Sequence, residues 1–336
     1  MKVKKLIALF LALALSLTAL PWTSSAAGGE TKQPQTEASV SRLAGSNRIL
    51  TAVAVAQKYY QMAKSVILVR GDSFADALSA SPYAFAKNAP ILLVDRDRID
   101  PAVEAEIRRL GATDLTIVGG TSVVSEQVEE ALKAFDPDGV ERIAGADRYE
   151  TSALMARALA KYTGGIDRAV IATGADFADA IAITPYTSPA HMPILLVKNQ
   201  AVSDSVKQAI SDLGITGVTL VGGSSAVSSA CLRDLPRNYL RLEGPDRYAT
   251  SVKVTAWYRM IHPTTFIVSG ENYADALVIS PVAASQHSPL LLTASKRLPE
   301  VVKNHLQAHP ARKFVVLGGP LAINDQVLDQ LSLLVK

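Results

Sequence analysis

The chain contains a single cysteine, Cys231, so no disulfide bond can form within it. A fold without disulfides depends on its hydrophobic cores. Hydrophobic residues make up 49% of the 336 residues and charged residues 19%, which excludes a disordered chain and allows two or three domains. We expect Cys231 to be a small buried side chain.

Histidine is also scarce, and the signatures of common catalytic sites are missing. All five histidines lie at or after His191, and no cysteine and histidine cluster has metal-ligand spacing. No Gly-x-Gly-x-x-Gly follows a predicted strand, and no Gly-x-x-x-x-Gly-Lys-Ser/Thr occurs. The sequence therefore predicts neither a cofactor nor a metal, and it gives little support for an enzyme.

A long apolar run lies at the amino terminus, from Leu6 to Leu20, after a start that holds three lysines. Pro21 ends the run and small residues at 24–27 offer a cleavage site, which is typical of a secretory signal peptide over residues 1–26. The alternative is an uncleaved anchor, but the run is shorter than the roughly 20 residues of a spanning helix. We expect an exported protein without a stable membrane span after leader cleavage.

The mature chain carries no excess charge of either sign. The sequence has 34 basic and 31 acidic residues, and removal of the three leader lysines leaves 31 of each. Nucleic-acid binding usually shows as a basic excess, so we expect no nucleic-acid partner and infer that any anion is held by local groups. The polar segment 27–39 is interpreted as a flexible linker, too short to hold an effector domain.

Three copies of one sequence pattern fill the rest of the chain. Its first element runs between two arginines and recurs at intervals of 100 and 99 residues. A Gly-x-x-aromatic-Ala-Asp-Ala segment follows, then a proline 14 residues after the aspartate and a glycine pair 43 residues after it. The arginine elements are Arg42 to Arg48, Arg142 to Arg148 and Arg241 to Arg247; the prolines are Pro90, Pro193 and Pro289; the glycine pairs begin at Gly119, Gly222 and Gly318.

Periodicity within the first copy predicts an α/β unit with the size of a small domain. Short apolar runs predict buried strands, and the helices predicted between them indicate a parallel sheet covered on both faces. We expect Pro82 to interrupt one helix and the segment near Arg42 to add a strand to the same sheet. The predicted strands are 65–70, 91–94 and 115–118, and the predicted helices are 49–63, 73–87, 101–110 and 125–135.

Ligands of open α/β sheets lie beyond the carboxyl ends of the strands, where the shared motifs fall. The recurring arginines can bind a carboxylate or phosphate with two hydrogen bonds. The recurring aspartates can contact a ligand, stabilise a helix N-terminus or pair with the arginine of the same repeat. Turn geometry is the favoured explanation of the glycine pairs. The candidate residues are Arg48, Arg148, Arg247, Asp76, Asp179 and Asp275.

Together these motifs resemble the cell wall-binding repeat 2 family, which occurs as three tandem repeats in surface proteins of Gram-positive bacteria. The resemblance implies three Rossmann-like domains packed with pseudo-threefold symmetry. It also implies non-covalent attachment to an anionic wall polysaccharide, with the arginines as first contacts and the aspartates as orienting partners. The implied domains are repeat one at 40–136, repeat two at 137–235 and repeat three at 236–336.

The three copies differ in places, so we expect sites of unequal strength. Ile49 follows the arginine in repeat one, where Tyr149 and Tyr248 follow it in the others; Pro320 and Leu321 replace two hydroxyl residues in repeat three. The leading interpretation is a binding protein without enzyme activity, whose weak sites add through effective concentration. The alternatives are an accessory protein for a wall hydrolase and, less favoured, an extracellular enzyme.

Overall fold

The computed structural model describes residues 38–74, 76–260 and 262–336. The predicted leader and most of the predicted linker lie outside the described residues. The described strands are β1 (Ser39–Leu43), β2 (Ser65–Arg70), β3 (Ile91–Val94), β4 (Asp114–Val118), β5 (Glu141–Ile143), β6 (Arg168–Thr173), β7 (Ile194–Val197), β8 (Gly217–Val221), β9 (Asn238–Leu242), β10 (Thr264–Ser269), β11 (Leu290–Thr293) and β12 (Lys313–Leu317). The described helices are α1 (Arg48–Tyr59), α2 (Ala80–Ala86), α3 (Pro101–Leu110), α4 (Glu126–Leu132), α5 (Arg148–Thr163), α6 (Ala178–Thr187), α7 (Asp204–Asp212), α8 (Arg247–Trp257), α9 (Ala274–Ser285), α10 (Glu300–Ala308) and α11 (Asp325–Ser332).

The predicted α/β class is confirmed, and in repeat one the elements lie close to their predicted positions. β2, β3 and β4 are almost wholly buried, as their unbroken apolar runs indicate. The Asp100 side chain caps α3, and Gly111 ends it in the left-handed conformation at φ 68°. α2 begins later than predicted, because residues 77–79 form a 3-10 turn before it, and Pro82 lies in its first turn.

The strands form three parallel sheets of four strands each within the described residues. Their orders are β3-β2-β4-β5, β7-β6-β8-β9 and β1-β12-β10-β11. In each sheet three strands come from one repeat, and the fourth, an edge strand, comes from the start of another. β5, for example, opens repeat two but pairs with β4 of repeat one.

The strand at Arg42 corrects one prediction, because it does not join the sheet of repeat one. β1 pairs instead with β12 of repeat three, with Leu43 opposite Leu317. The three repeats therefore form a closed ring, in which each sheet is completed by the strand that precedes the opening helix of the following repeat.

The first arginine of each repeat fastens this edge strand to the sheet that it completes. Arg42 donates a hydrogen bond of 2.5 Å to the carbonyl oxygen of Gly318, at the end of β12. The equivalent bonds, each 2.7 Å long, join Arg142 to Gly119 and Arg241 to Gly222. The same contact thus recurs at all three sheets.

Helices α2, α6 and α9 pack against one another in the centre of the ring. They are largely buried and mostly apolar, as expected for helices inside a core. At one end of this core Phe74, Phe177 and Tyr273 form a triangle, with ring centroids 5.7 to 6.1 Å apart. One aromatic ring from each repeat therefore meets at the pseudo-threefold centre. Over the described ranges, no helix combines the length and apolar character needed to cross a membrane.

Candidate functional site

The recurring motifs meet where consecutive repeats join, at the carboxyl ends of the strands. Each junction brings the loop after β2, β6 or β10 against the first turn of the helix that opens the following repeat. We call them junction 1/2 (with α5), junction 2/3 (with α8) and junction 3/1 (with α1). Each junction holds one candidate arginine and one candidate aspartate.

The candidate arginines are the first residues of α1, α5 and α8, since a side chain before each one caps the helix. Each guanidinium donates to the carbonyl oxygen of the glycine that follows β2, β6 or β10 of its own repeat. The donor and acceptor pairs are Arg48 with Gly71 at 2.7 Å, Arg148 with Gly174 at 2.5 Å and Arg247 with Gly270 at 2.5 Å.

The same arginines also contact the aromatic triangle of the preceding repeat. Arg148 lies over the ring of Phe74 at 5.4 Å, and Arg247 lies over the ring of Phe177 at 5.7 Å. At junction 3/1 the hydroxyl of Tyr273 donates to the Gly71 carbonyl at 2.7 Å. The arginines therefore hold neighbouring repeats together as well as lining the junctions.

The candidate aspartates face the following repeat and not the arginine of their own. Asp76 lies near Arg148 and near the hydroxyl of Thr151, and both groups favour its ionised form. Pairing with the arginine of the same repeat, one of the three alternatives from the sequence, is therefore wrong, because the opening helix of each repeat packs beside the sheet of the repeat before it. The equivalent groups are Asp179 with Thr250 and Arg247, and Asp275 with Thr51 and Arg48.

Burial sets the ionisation of these three carboxyl groups. Desolvation raises the pKa of Asp76, Asp179 and Asp275, and the neighbouring threonine hydroxyls and arginine charges oppose this rise only in part. Asp275 is the most enclosed, with only 5% of its surface exposed. Each junction thus contains a carboxyl group that ionises less readily than a solvated one.

The glycine pairs provide the space that these aspartates occupy. Gly119, Gly222 and Gly318 have φ values of 117°, 97° and 96°, a conformation that other residues rarely adopt. A Cβ atom at Gly222 would collide with the Asp179 carboxylate, and one at Gly318 with that of Asp275. Turn geometry, favoured from the sequence, is therefore one of two reasons for glycine.

Sequence reasoning missed three sets of residues that complete the junctions. The hydroxyl of Thr51 accepts a hydrogen bond of 3.0 Å from the Gly45 amide, and its equivalents do the same. All three sets recur at fixed offsets in the repeats, so comparison of the copies could have found them. The missed residues are Thr51, Thr151 and Thr250; Phe74, Phe177 and Tyr273; and Arg42, Arg142 and Arg241.

Two junctions enclose cavities open to solvent. The cavity at junction 3/1 has a volume of about 600 Å³ and is lined by Arg48, Asp275 and the fully exposed Leu321, among others. The cavity at junction 2/3 has a volume of about 270 Å³, with Arg247 and Asp179 in the same roles. The larger volume lies within, and the smaller close to, the roughly 300–1,000 Å³ of small-molecule sites.

The histidines that occupy matching places in repeats two and three have a backbone explanation. His191 and His287 adopt φ 51°, and Asn88 of repeat one adopts φ 49°. Asparagine and histidine tolerate this left-handed conformation better than most residues. In the part of the chain that is described, no group of three or more His, Cys, Asp or Glu side chains could hold a metal ion. Cys231 is buried, which confirms its prediction.

Three α/β repeats that present the same arginine, aspartate and glycine turn at three junctions define a protein built from one repeated α/β module. The family model of cell wall binding domain 2 (CWB2) matches the chain three times, at residues 42–129, 142–232 and 241–328. This chain belongs to that family. Its three repeats are cell wall-binding repeats of this family.

Two curated relatives come from Bacillus subtilis (strain 168). The chain is 31% identical over 294 residues to N-acetylmuramoyl-L-alanine amidase LytC, an alignment that spans 88% of this chain and 58% of the relative. It is 28% identical over 295 residues to the amidase enhancer, spanning 87% of this chain and 40% of the relative.

Two solved structures from Clostridium difficile share the architecture. Cwp6 superposes with a TM-score of 0.82 at 28% identity, over 89% of this chain and 48% of Cwp6. Cwp8 superposes with a TM-score of 0.76 at 28% identity, over 88% of this chain and 51% of Cwp8. The chain thus spans about half the length of the proteins that it matches.

Proposed function

We propose that this protein is exported, attaches non-covalently to an anionic wall polysaccharide through its three junctions, and catalyses no reaction. The observation that carries the proposal is the arginine repeated at three junctions, two of which hold an open polar cavity. A guanidinium suits the phosphate or carboxylate of an anionic sugar. In this proposal Arg48, Arg148 and Arg247 make the first contacts, and Asp76, Asp179 and Asp275 orient the arginines and the sugar.

The loops after β3 and β11 bring further cations, together with acidic side chains, to the same edge of the sheets. Arg98 follows β3 and lines a cavity with Arg48, but it is paired with Asp95 at 2.7 Å. Lys296 and Arg297 follow β11 and line a cavity beside junction 3/1 that also holds Glu271 and Glu300. Among the described residues neither Lys296 nor Arg297 has an ion pair within 4.0 Å, and in a mature chain without net charge these two cations support an anionic ligand. Three weak sites on one polymer would gain about a hundredfold in affinity through effective concentration.

A binding role without catalysis is supported by how the carboxyl groups are distributed. Asp176 and Asp179 line one cavity at junction 2/3, but Asp176 is paired with Arg247 at 2.7 Å. The residues at the place of Asp176 in the other repeats, Ser73 and Asn272, have no carboxylate. Incubation of the mature protein with purified walls should release no new reducing ends or amino groups.

Sedimentation with walls purified from the producing bacterium tests the proposal. The mature chain should pellet with walls, lose binding in high salt, and lose binding when the phosphate-containing polymers are extracted. A triple Arg→Gln variant at 48, 148 and 247 should bind at least tenfold more weakly. Arg108→Gln, on α3 with 63% of its side chain exposed, is the control for lost charge.

The result that overturns the proposal is clear. If the mature chain stays soluble beside intact walls, or if the folded triple variant binds as well as Arg108→Gln, the junctions are not the attachment sites. Circular dichroism on each variant separates lost binding from lost folding, because each arginine also bonds a backbone carbonyl.

Export through residues 1–26 is part of the same proposal. Its basic start and apolar run support it, and mass spectrometry of culture supernatant and wall fractions tests it. A protein beginning near residue 27 is the expected product. A full-length protein in the membrane fraction would instead favour the uncleaved anchor.

A role as an accessory to a wall hydrolase is the second candidate. The support is that related regions occur in one protein named an amidase and in another named an amidase enhancer. If this role applies, a wall amidase should pellet with walls more completely when the protein is present. No change in amidase binding or activity would leave attachment as the only role.

A further inference from the structure

One position at which the three junctions differ lies three residues before the recurring aspartate. At junction 2/3 this position is Asp176, and its two oxygens have separate partners. Oδ1 accepts a hydrogen bond of 3.1 Å from the amide of Ala178, and Oδ2 accepts one of 2.7 Å from Arg247. The arginine at this junction is therefore already paired with an anion from the protein itself.

At junction 3/1 the same position is Asn272, which keeps the first contact but cannot make the second. Its Oδ1 accepts from the amide of Ala274 at 3.3 Å, so the other terminal atom is the amide nitrogen, which only donates. Arg48 also only donates, and it has no ion pair within 4.0 Å among the described residues. Both side chains line the 600 Å³ cavity.

The surroundings strengthen this difference. The cap before Arg48 is the neutral Asn47, whereas the cap before Arg247 is Asp246. The acidic groups that line the cavity at junction 3/1 are the enclosed Asp275 and Glu271, which also lines the neighbouring cavity and accepts from the Ser295 amide at 3.3 Å. Asp72 lies near Arg48 in an adjoining cavity, but it is paired with Arg70. The cavity at junction 2/3 includes three aspartates, at 176, 179 and 246.

We propose that junction 3/1 is the principal polymer site, and that it takes a sugar unit carrying a phosphate or carboxylate between Arg48 and Asn272. At junction 2/3 the Asp176 carboxylate pairs with Arg247. It therefore takes the place of the anionic sugar group and weakens that site. Junction 1/2, with Ser73 at this position and the acidic cap Asp147, has intermediate strength. This inference rests on the proposed attachment to an anionic polysaccharide and names where it is concentrated.

Reciprocal exchange of one functional group tests the inference on the full mature chain. Asn272→Asp should supply Arg48 with an internal carboxylate and weaken binding to purified walls about tenfold. Asp176→Asn should free Arg247 and strengthen binding severalfold. The charge-matched controls are Asn304→Asp on the exposed side of α10 and Asp204→Asn, whose side chain is 98% exposed on α7. Both controls should leave binding unchanged.

A second pair of variants introduces no new aspartate, so its result does not depend on whether a new carboxylate disturbs the fold. Arg48→Gln should reduce wall binding more than Arg247→Gln, because Arg48 has no ion pair within 4.0 Å among the described residues, whereas Arg247 is paired with Asp176. Walls with and without extracted phosphate polymers distinguish a phosphate from a carboxylate on the sugar. Greater loss from Arg247→Gln would overturn the inference.

The outcomes separate the inference from the function on which it rests. If the unaltered chain does not bind walls, the proposed function fails, whatever the variants do. If the unaltered chain binds and Asn272→Asp equals Asn304→Asp, attachment stands but the ranking of the junctions fails. Binding lost in Asn272→Asp and regained on adding Asp176→Asn would support the inference most strongly.

Discussion

The sheet of repeat three is completed by a strand from the other end of the described chain, whereas the other two sheets are completed by a strand that follows soon after. The arginine contact that holds the added strand is nevertheless the same in all three. Arg142 and Arg241 bond glycine carbonyls that lie 23 and 19 residues earlier in the chain, whereas Arg42 bonds Gly318 across 276 residues. Arg42 also bonds the Ile323 carbonyl at 2.8 Å and pairs with Asp325 at 2.8 Å. The closing contact is therefore at least as rich as the local ones.

This comparison shows that a long separation along the chain adds little to the free energy cost of pairing a strand that has specific contacts at the edge of a sheet. The entropy of loop closure grows only with the logarithm of loop length, so closing 276 residues instead of 23 costs about 2 kcal/mol more. One well-placed arginine with charge-assisted hydrogen bonds can offset that difference. The ring should therefore unfold as a unit, with its closing strand held as firmly as the others.

The largest expected effect comes from adding one carbon atom where a strand turns into a helix. A Cβ at Gly45 would collide with the backbone of Leu50, and one at Gly244 with that of Ala249. Gly45→Ala and Gly244→Ala should each reduce the free energy of unfolding by about 3 kcal/mol. Urea denaturation measures both. A much smaller loss for Gly45→Ala would show that the closing junction is looser than the local one.

Loss of the first arginine should have the next largest effect. Arg42→Met and Arg241→Met remove charge-assisted hydrogen bonds to carbonyl groups and should each cost about 2 kcal/mol in unfolding free energy. If β1 holds the ring closed, Arg42→Met should cost at least as much as Arg241→Met. No loss in Arg42→Met, measured by the same denaturation, would mean that the ring is stable without this fastening.

A smaller effect should appear in how stability depends on pH. Because the folded pKa of Asp275 is raised by burial, the folded state keeps its proton longer than the unfolded chain, where the pKa is about 3.9. Stability from this group is present below that value and is lost as pH rises through the folded pKa. Asp275→Asn at junction 3/1 should flatten this part of the stability curve more than Asp76→Asn at junction 1/2, whose carboxyl is less enclosed. Equal curves for Asp275→Asn and the unaltered chain would contradict the assignment.

The smallest expected effect concerns the residues with left-handed backbone that lie just before β3 and β11, Asn88 and His287. His287→Gly relieves backbone strain and should stabilise the protein by about 0.5 kcal/mol, after the entropy of the added glycine is subtracted. Asn88→Gly should gain less, because asparagine tolerates this conformation better. Thermal unfolding of both variants checks the order, and a destabilised His287→Gly would point to a side-chain contact of that histidine.

The sequence predicts those features whose causes are local. The buried strands of repeat one follow from unbroken apolar runs, and α3 follows from its cap, its proline and its closing glycine. The location of the candidate arginines at a carboxyl edge follows from their place before opening helices. These signals need only a dozen residues of context.

Features that depend on partner choice could not be predicted in the same way. Each repeat opens with a strand that ends in Arg-Leu or Arg-Ile, so the pattern cannot tell whether β1 belongs to its own sheet or to that of repeat three. The same ambiguity assigned Asp76 to Arg48 when its neighbour is Arg148. The difference between Asp176 and Asn272 is visible in the sequence, but its meaning depends on which atom faces an arginine.

The two ends of the described chain lie at the same edge of the strands. The amide of Ser39 donates to the Arg312 carbonyl at 2.9 Å, and the amide of Lys336 donates to the Ala311 carbonyl at 3.2 Å. Both ends of the described chain therefore lie side by side at the amino edge of the strands, opposite the cavities. In the proposed attachment, the wall polymer and these two ends lie on opposite edges of the sheets, so binding would fix which edge of the ring faces away from the polymer.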